Sequence, residues 1–390
     1  MSEIKVNSIK GVGASTAAIT VNNTDGTCTA NITNNLSNRN KVINGGMVVD
    51  QRNGGSATTA ISNGYTLDRF RIVSTGTDQL AATIQQVESE TDAPAGTGLT
   101  RSLKWTTTTP ETSIDNDEVI RFQYHIEGND LQDFCYGTSS AKTVTVSFYV
   151  KTSVTGVYAL SIFRSELNNR VINRTYTVSD TNWNRYTFTI AGDTAEKIST
   201  GTASRWRMMF HLAAGSDFTT STHSTWGAYS TPYFAGGHVQ NGVCTTNGAT
   251  WQLTGVQLEV GSVATDFEHR SFAQELALCQ RYYFRLENDS STTCHLGTMQ
   301  YYSGNSFFGF LMNLPVEMRA IPTATFSGTG QPWAASGNAN GSFTTLALNK
   351  NSKTSLATNG TSTSLSNGVA GYATVITLLQ SSYIDASAEL

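Results

Sequence analysis

Val144-Thr145-Val146-Ser147-Phe148-Tyr149-Val150 alternates apolar and polar residues without a break. Successive side chains of a strand point to opposite faces, so this run is a strand with one face in a core. Tyr186-Thr187-Phe188-Thr189-Ile190 repeats the pattern, and Arg205 to Leu212 places Trp206, Met208, Phe210 and Leu212 on one side. Trp251-Gln252-Leu253-Thr254 alternates up to Gly255 and resumes out of phase at Val256, which predicts a bulge at that glycine. Two-faced strands spread over about 220 residues read as a β-sandwich or jelly roll.

Composition agrees. Only 14% of the 390 residues are charged, 10% are aromatic and the net charge is -4. About a third of the chain is Thr, Ser or Asn. Disorder calls for high net charge and few rings, and helix bundles draw on Ala, Leu, Glu, Lys and Arg. Both are excluded, and the chain is all-β. With Lys and Arg fewer than Asp and Glu, no global basic field exists for nucleic acid. No apolar run is long enough to insert in a membrane as a helix. Five scattered cysteines form no CxxC pair, so they give neither a metal template nor a disulfide framework.

Four segments follow. Residues 1–40 carry short apolar patches at Ile4-Lys5-Val6, Ala18 to Val21 and Cys28 to Ile32, too small to build a core. They predict an attachment or trimerisation segment that docks or intertwines. Residues 41–270 hold the sandwich. Ser271-Phe272-Ala273-Gln274 is a capping box, and Phe272, Leu276, Cys279 and Tyr283 follow at helical spacing, so 271–285 is a connecting helix. Residues 286–390 form a C-terminal β domain with polar loops over 336–369.

Several motifs together resemble bacteriophage and prophage tail-fibre proteins. They are Val42-Ile43-Asn44-Gly45-Gly46-Met47 with Asp50-Gln51-Arg52, Tyr65 to Phe70, and Val144 to Lys151. The most specific run is Thr254 to Thr265, continuing through Phe267-Glu268-His269-Arg270 to Arg281-Tyr282-Tyr283. The closing Ala386-Ser387-Ala388-Glu389-Leu390 fits the same pattern, and the first forty residues resemble N-terminal segments of marine phage structural proteins. The resemblance implies a virion component, made in a host bacterial cytoplasm, with a jelly-roll domain like carbohydrate-binding modules. It also implies homotrimeric fibres joined to tail or neck proteins through the N-terminal segment. The family shares no catalytic set, and none is carried over; Phe267 to Arg270 looks structural.

Two acidic clusters contain Asp115, Asp117, Glu127 and Asp130. They are candidate calcium ligands, although Asp, Asn and Gly together also simply make turns. No other cofactor is indicated. No HExxH, Gly-x-Ser-x-Gly or phosphate-loop pattern occurs, so the expected protein is not an enzyme. The loop 217–251 sets Trp226, Tyr229 and Tyr233 among Ser, Thr, Gly, Asn and His. Rings beside neutral donors suit the apolar faces and hydroxyls of a glycan, and they equally suit packing or a subunit interface. The reading is a tail fibre or appendage that adheres to host glycans largely without charge. A purely structural virion piece and a glycan-cleaving spike are the alternatives.

Overall fold

The computed structural model describes residues 7–10, 12, 19–21, 28–30, 38–59, 63–77, 79–288, 294–303, 306–326, 333–336, 341–342, 345–348, 351–361, 373–378 and 383–390. Near the start, β1 (Ser8–Ile9), β2 (Ile19–Val21) and β3 (Cys28–Ala30) form a three-stranded antiparallel sheet. The expected strand at 4–6 lies outside the described residues.

The sandwich follows in chain order as β4 (Tyr65–Leu67), β5 (Phe70–Thr75), β6 (Ala81–Glu88), β7 (Arg101–Thr109), β8 (Val119–Glu127), β9 (Val144–Thr152) and β10 (Gly156–Arg164). It continues with β11 (Arg170–Val178), β12 (Asn184–Ile190), β13 (Ser204–Ala214), β14 (Gly227–Ala228) and β15 (Thr250–Val260). Seven strands form one sheet in the order β14-β11-β10-β13-β8-β5-β4, and five form the other, β12-β9-β15-β7-β6. The chain is all-β, a jelly-roll sandwich with short helices. Its core is where the alternation puts it. Val144, Val146, Phe148 and Val150 are fully buried, and so are Trp206, Met208 and Phe210. Phe122 stacks on Trp251 with centroids 5.7 Å apart, and Trp105 meets it edge-on at 6.3 Å. Gly255 sits at φ +60°, and the β15–β9 register shifts between Thr254 and Gln257, so the bulge is there.

The motifs before and after the sandwich converge on one junction. Arg69 is 1% exposed, and its Nη1 meets Glu389 Oε2 at 2.5 Å. Its Nη2 donates to the His125 carbonyl (2.6 Å), and its guanidinium lies 3.4 Å from the Tyr282 ring centroid. Arg52 pairs with the same Glu389 (3.1 Å) and lies over the Tyr283 ring at 3.6 Å. Gln51 donates through its backbone N and side-chain Nε2 to buried Asp68, each at 2.7 Å. Burial pushes the Asp68 carboxyl up to about 6 against the pull of Arg52. Asn44, at φ 60°, bridges Val49 and the Asp68 carbonyl (2.8 and 3.0 Å). At Gly45 a Cβ would collide with the Val256 carbonyl oxygen, so only glycine permits this approach.

The connecting helix α2 is shorter than expected, Phe272–Gln280, and Tyr283 already belongs to the next strand. Ser271 Oγ accepts from Gln274 N at 3.3 Å, as the capping box requires. Its buried face differs from the sequence reading. Cys279 is buried as its spacing predicts, but Phe272 is 57% exposed and Glu275 is buried instead. Glu275 accepts from Asn44 N and from Arg270 Nη1 (3.4 Å), while Glu268 accepts from Asn38 N and Asn40 N (2.5 and 2.7 Å). The 267–270 run therefore clamps the chain entering the sandwich.

Beyond α2 come β16 (Tyr283–Glu287), β17 (Cys294–Ser303), β18 (Ser306–Asn313), β19 (Thr323–Phe326), β20 (Trp333–Ser336) and β21 (Gly341–Ser342). Then come β22 (Thr345–Leu348), β23 (Ser355–Thr361), β24 (Ala373–Leu378) and β25 (Tyr383–Ser387). They form sheets ordered β16-β25-β19 and β21-β20-β24-β17-β18-β23-β22. The Thr-rich part of 336–369 is thus partly strand, because β-branched threonine fits a pleat as well as it fits a loop. Ser271→Ala should lower stability by about 1 kcal/mol. Leu276 is only half-buried, so Leu276→Ala should cost about 1 to 2 kcal/mol, less than a core leucine. Thermal melts of both variants check this, and no change in either would mean that α2 is not packed.

Candidate functional site

The loop between β13 and β15 determines where the three aromatic candidates go. It leaves β13, forms helix α1 (Ser216–Thr219) and supplies the edge strand β14, which pairs with β11. In doing so it wraps the rim of the seven-stranded sheet. Trp226 therefore falls at the opening between the two sheets, while Tyr229 and Tyr233 lie over the outer face of the larger one. The sequence grouped the three; the structure separates them.

Trp226 is half-buried and reaches the core. Its ring meets Trp206 edge-on at 5.5 Å and Tyr136 at 6.1 Å, and its indole N–H donates to the Ala191 carbonyl (3.0 Å). Beside it opens a cleft of about 410 Å³ lined by Arg170, Arg174, Thr189, Thr194 and Ser224. Arg170 is held by Asp193 at 2.7 Å. Arg174 Nη1 donates to the Asn173 and Ser224 carbonyls (2.8 and 2.9 Å), and burial lowers its pKa. The cleft combines one ring, several hydroxyls and fixed guanidinium donors.

Tyr229 packs edge-on against Phe163 (5.0 Å) and Phe234 (6.0 Å). Tyr233 stacks on His223 with centroids 3.8 Å apart. Beneath the same loop, His211 and His238 are buried, and burial lowers both pKa values, that of His238 to about 4. Both imidazoles are therefore neutral at pH 7.

The acidic candidates do not form one site. Asp115 and Asp117 are exposed in the turn before β8, while Glu127 is its last residue and Asp130 lies just beyond. A nine-residue strand separates them by roughly 27 Å. Glu127 is buried and held by Arg281 through two bonds, Nε at 3.1 Å and Nη2 at 2.9 Å. Burial, then Glu127, raises the Asp130 pKa. Among the described residues no group of three or more His, Cys, Asp or Glu side chains is placed to hold a metal ion. Cys135, Cys244 and Cys279 are free thiols.

The sequence reading missed Arg121 and Arg207, which lie over the two rings that pack on Tyr229, and Arg71 on the same outer face. The signal was present in Val119 to Glu127, where Arg121, Gln123 and His125 alternate with Ile120, Phe122, Tyr124 and Ile126. All nine residues of β8 are buried, so its polar side is covered as well as its apolar side.

No protein-family model matches the chain, and no curated protein matches it. Among solved structures, similarity is found to a CBM4 carbohydrate-binding module (14% identity, 56% of this chain and 100% of that one, TM-score 0.27). It is also found to a family 11 carbohydrate-binding module of a Clostridium thermocellum cellulosomal cellulase (10%, 55% and 99%, TM-score 0.26). A third is discoidin II of Dictyostelium discoideum (9%, 80% and 99%, TM-score 0.16). Likeness at that level carries no functional argument. No helix among the described residues is long and apolar enough to cross a membrane.

Trp226 is anchored in the core as well as lining the cleft, so both the packing and the glycan-facing readings of the ring bear on it. Trp226→Ala should lower stability by about 2 to 3 kcal/mol, below the ~3 to 5 kcal/mol of a fully buried ring. Denaturant melts measure this, and an unchanged midpoint would contradict the packing described.

Proposed function

We propose that the chain is a glycan-binding adhesion protein of a bacteriophage tail fibre. Its first forty residues attach it to the virion, and three copies form the fibre. The observation that carries the binding role is the cleft at Trp226. It is open, about 410 Å³ in volume, and walled by threonine and serine hydroxyls beside an immobilised ring. A sugar places its apolar face on a ring and its hydroxyls against neutral or fixed donors, so this wall suits it. The virion role is supported by the tail-fibre motifs, whose residues build the junction. In this reading the protein binds without cleaving.

A purely structural virion role is favoured by one observation, that Trp226 already uses its N–H and one ring edge internally. Filling the cleft separates the two readings. Ala195 is exposed and lines the cleft, so Ala195→Trp should occupy it without touching the core. We expect unchanged melting and a loss of most capture of host surface polysaccharide, with immunolabel for the chain on virion tails. Undiminished capture by the variant would remove the cleft from the account, and label on the head would remove the tail-fibre role.

A further inference from the structure

Three arginines on the outer face of the seven-stranded sheet have no acid beside them among the described residues. In the strand ladder Arg71 of β5 stands opposite Gln123 of β8, and Arg207 of β13 stands opposite His125. Arg121 is two residues from Gln123, so the period of two puts all five side chains on one face. Among the described residues, none of the three arginines pairs with a carboxylate. The two other arginines that are buried among the described residues, Arg69 and Arg164, each meet one.

Their surroundings hold the guanidinium groups in place without neutralising them. With its amide turned to satisfy both ends, Gln123 accepts from Arg121 Nε (2.6 Å) and Nη2 (2.9 Å) and donates to His125 Nε2 (3.1 Å). The other nitrogen, His125 Nδ1, meets Ser204 Oγ at 3.0 Å. Burial first, then Arg207 and its neighbours, pushes the His125 pKa well down, so this imidazole is neutral and adds no charge. Arg121 lies 4.3 Å from the Phe234 ring centroid and Arg207 lies 5.2 Å from that of Phe163, and Tyr229 packs between those two rings. Arg121 is only 8% exposed, and its Nη1 has no acceptor; neither has Arg207 Nε. Arg71, Arg207 and Tyr229 are half-exposed, so the cluster is reached from solvent.

Buried cations of like sign destabilise a fold unless something balances them. Here burial and the neighbouring arginines pull the Arg121 pKa down to about 9, which reports the same imbalance. An anion on this face would remove it. Arginine forks match a carboxylate with two parallel bonds, and Tyr229 offers a ring face and a hydroxyl beside them.

We propose that Arg207, with Arg71 at the rim, Tyr229 beside it and the covered charge of Arg121 beneath, binds the carboxylate of an acidic sugar residue. The proposal rests on the reading above for the ligand being a glycan, but the site is separate from the Trp226 cleft. It also replaces the expectation of charge-free recognition: binding here weakens as salt rises.

The test is calorimetric titration of the full chain with galacturonate, glucuronate and sialic acid oligosaccharides, with galactotriose as the neutral sugar and acetate as the bare carboxylate. We expect at least one acidic oligosaccharide to bind, with acetate competing only at concentrations about tenfold higher or more. Arg207→Gln, which is half-exposed and safe for folding, should weaken that binding about tenfold or more, as should raising NaCl from low to high concentration. Ala195→Trp should leave it intact, so failure of the cleft and failure of this site are distinguishable. Arg121→Met should abolish the binding and, with no ligand present, melt at or above the unmodified protein. The proposal is overturned if no acidic oligosaccharide binds, if Arg207→Gln binds unchanged, or if Ala195→Trp removes the binding. It is equally overturned if acetate matches the sugar, or if Arg121→Met melts well below the unmodified protein.

Discussion

A guanidinium removed from water has to be met by charge and hydrogen bonds, and at Arg69 this chain brings a carboxylate, a backbone carbonyl and a ring face to one such group. Its backbone takes the left-handed conformation at φ 72°, which turns the chain sharply between β4 and β5. Its side chain then reaches Glu389, the His125 carbonyl and the face of Tyr282. One residue thereby ties together the first hairpin of the sandwich, its central strand β8, the exit of helix α2 and the end of the chain. Arg52 adds a second guanidinium on the same carboxylate, and Arg319 holds the backbone carbonyls of Ala388 and Glu389 at 2.7 and 2.8 Å. The C-terminal residues are part of the sandwich's foundation.

The same chemistry is left incomplete two strands' width away. Arg69 and Arg121 are both buried, yet the first meets a carboxylate and the second meets only a neutral amide. The fold completes its ion pairs at the junction and leaves those of the outer face open. The loop between β13 and β15 packs over that face. It covers His211 with Phe234, and it also presents Tyr229 to the open arginines and Trp226 to the rim.

The period of two made the sandwich legible, since Val144 to Val150 and Trp206 to Phe210 bury the faces that alternation assigns. Gly255 was legible because a phase change in a strand has few physical causes, and Ser271 because its cap acts locally. The helix face was not. Phe272 is apolar and at the right spacing, but it sits in the first turn, where the packing partners Ile43 and Val49 do not reach; Glu275 takes the interior because Arg270 and Asn44 N await it. The junction motifs were visible as motifs, whereas their convergence depends on contacts across more than 300 residues, as between Arg69 and Glu389. Trp226 and Tyr229 read as one site because they are three residues apart. Only the pairing of β14 with β11, which puts the sheet rim between them, shows that they are two.

A double-mutant cycle on Arg69→Met and Glu389→Gln measures the junction most directly, by equilibrium unfolding of the two single variants and the double. Arg69→Met leaves Glu389 with Arg52 alone and Glu389→Gln leaves Arg69 without a carboxylate, while the double removes both members of the pair. The account predicts that each single variant loses about 3 to 5 kcal/mol and that the double loses clearly less than their sum, a coupling of roughly 2 kcal/mol or more. Additive losses, or a Glu389→Gln variant as stable as the unmodified protein, would contradict it.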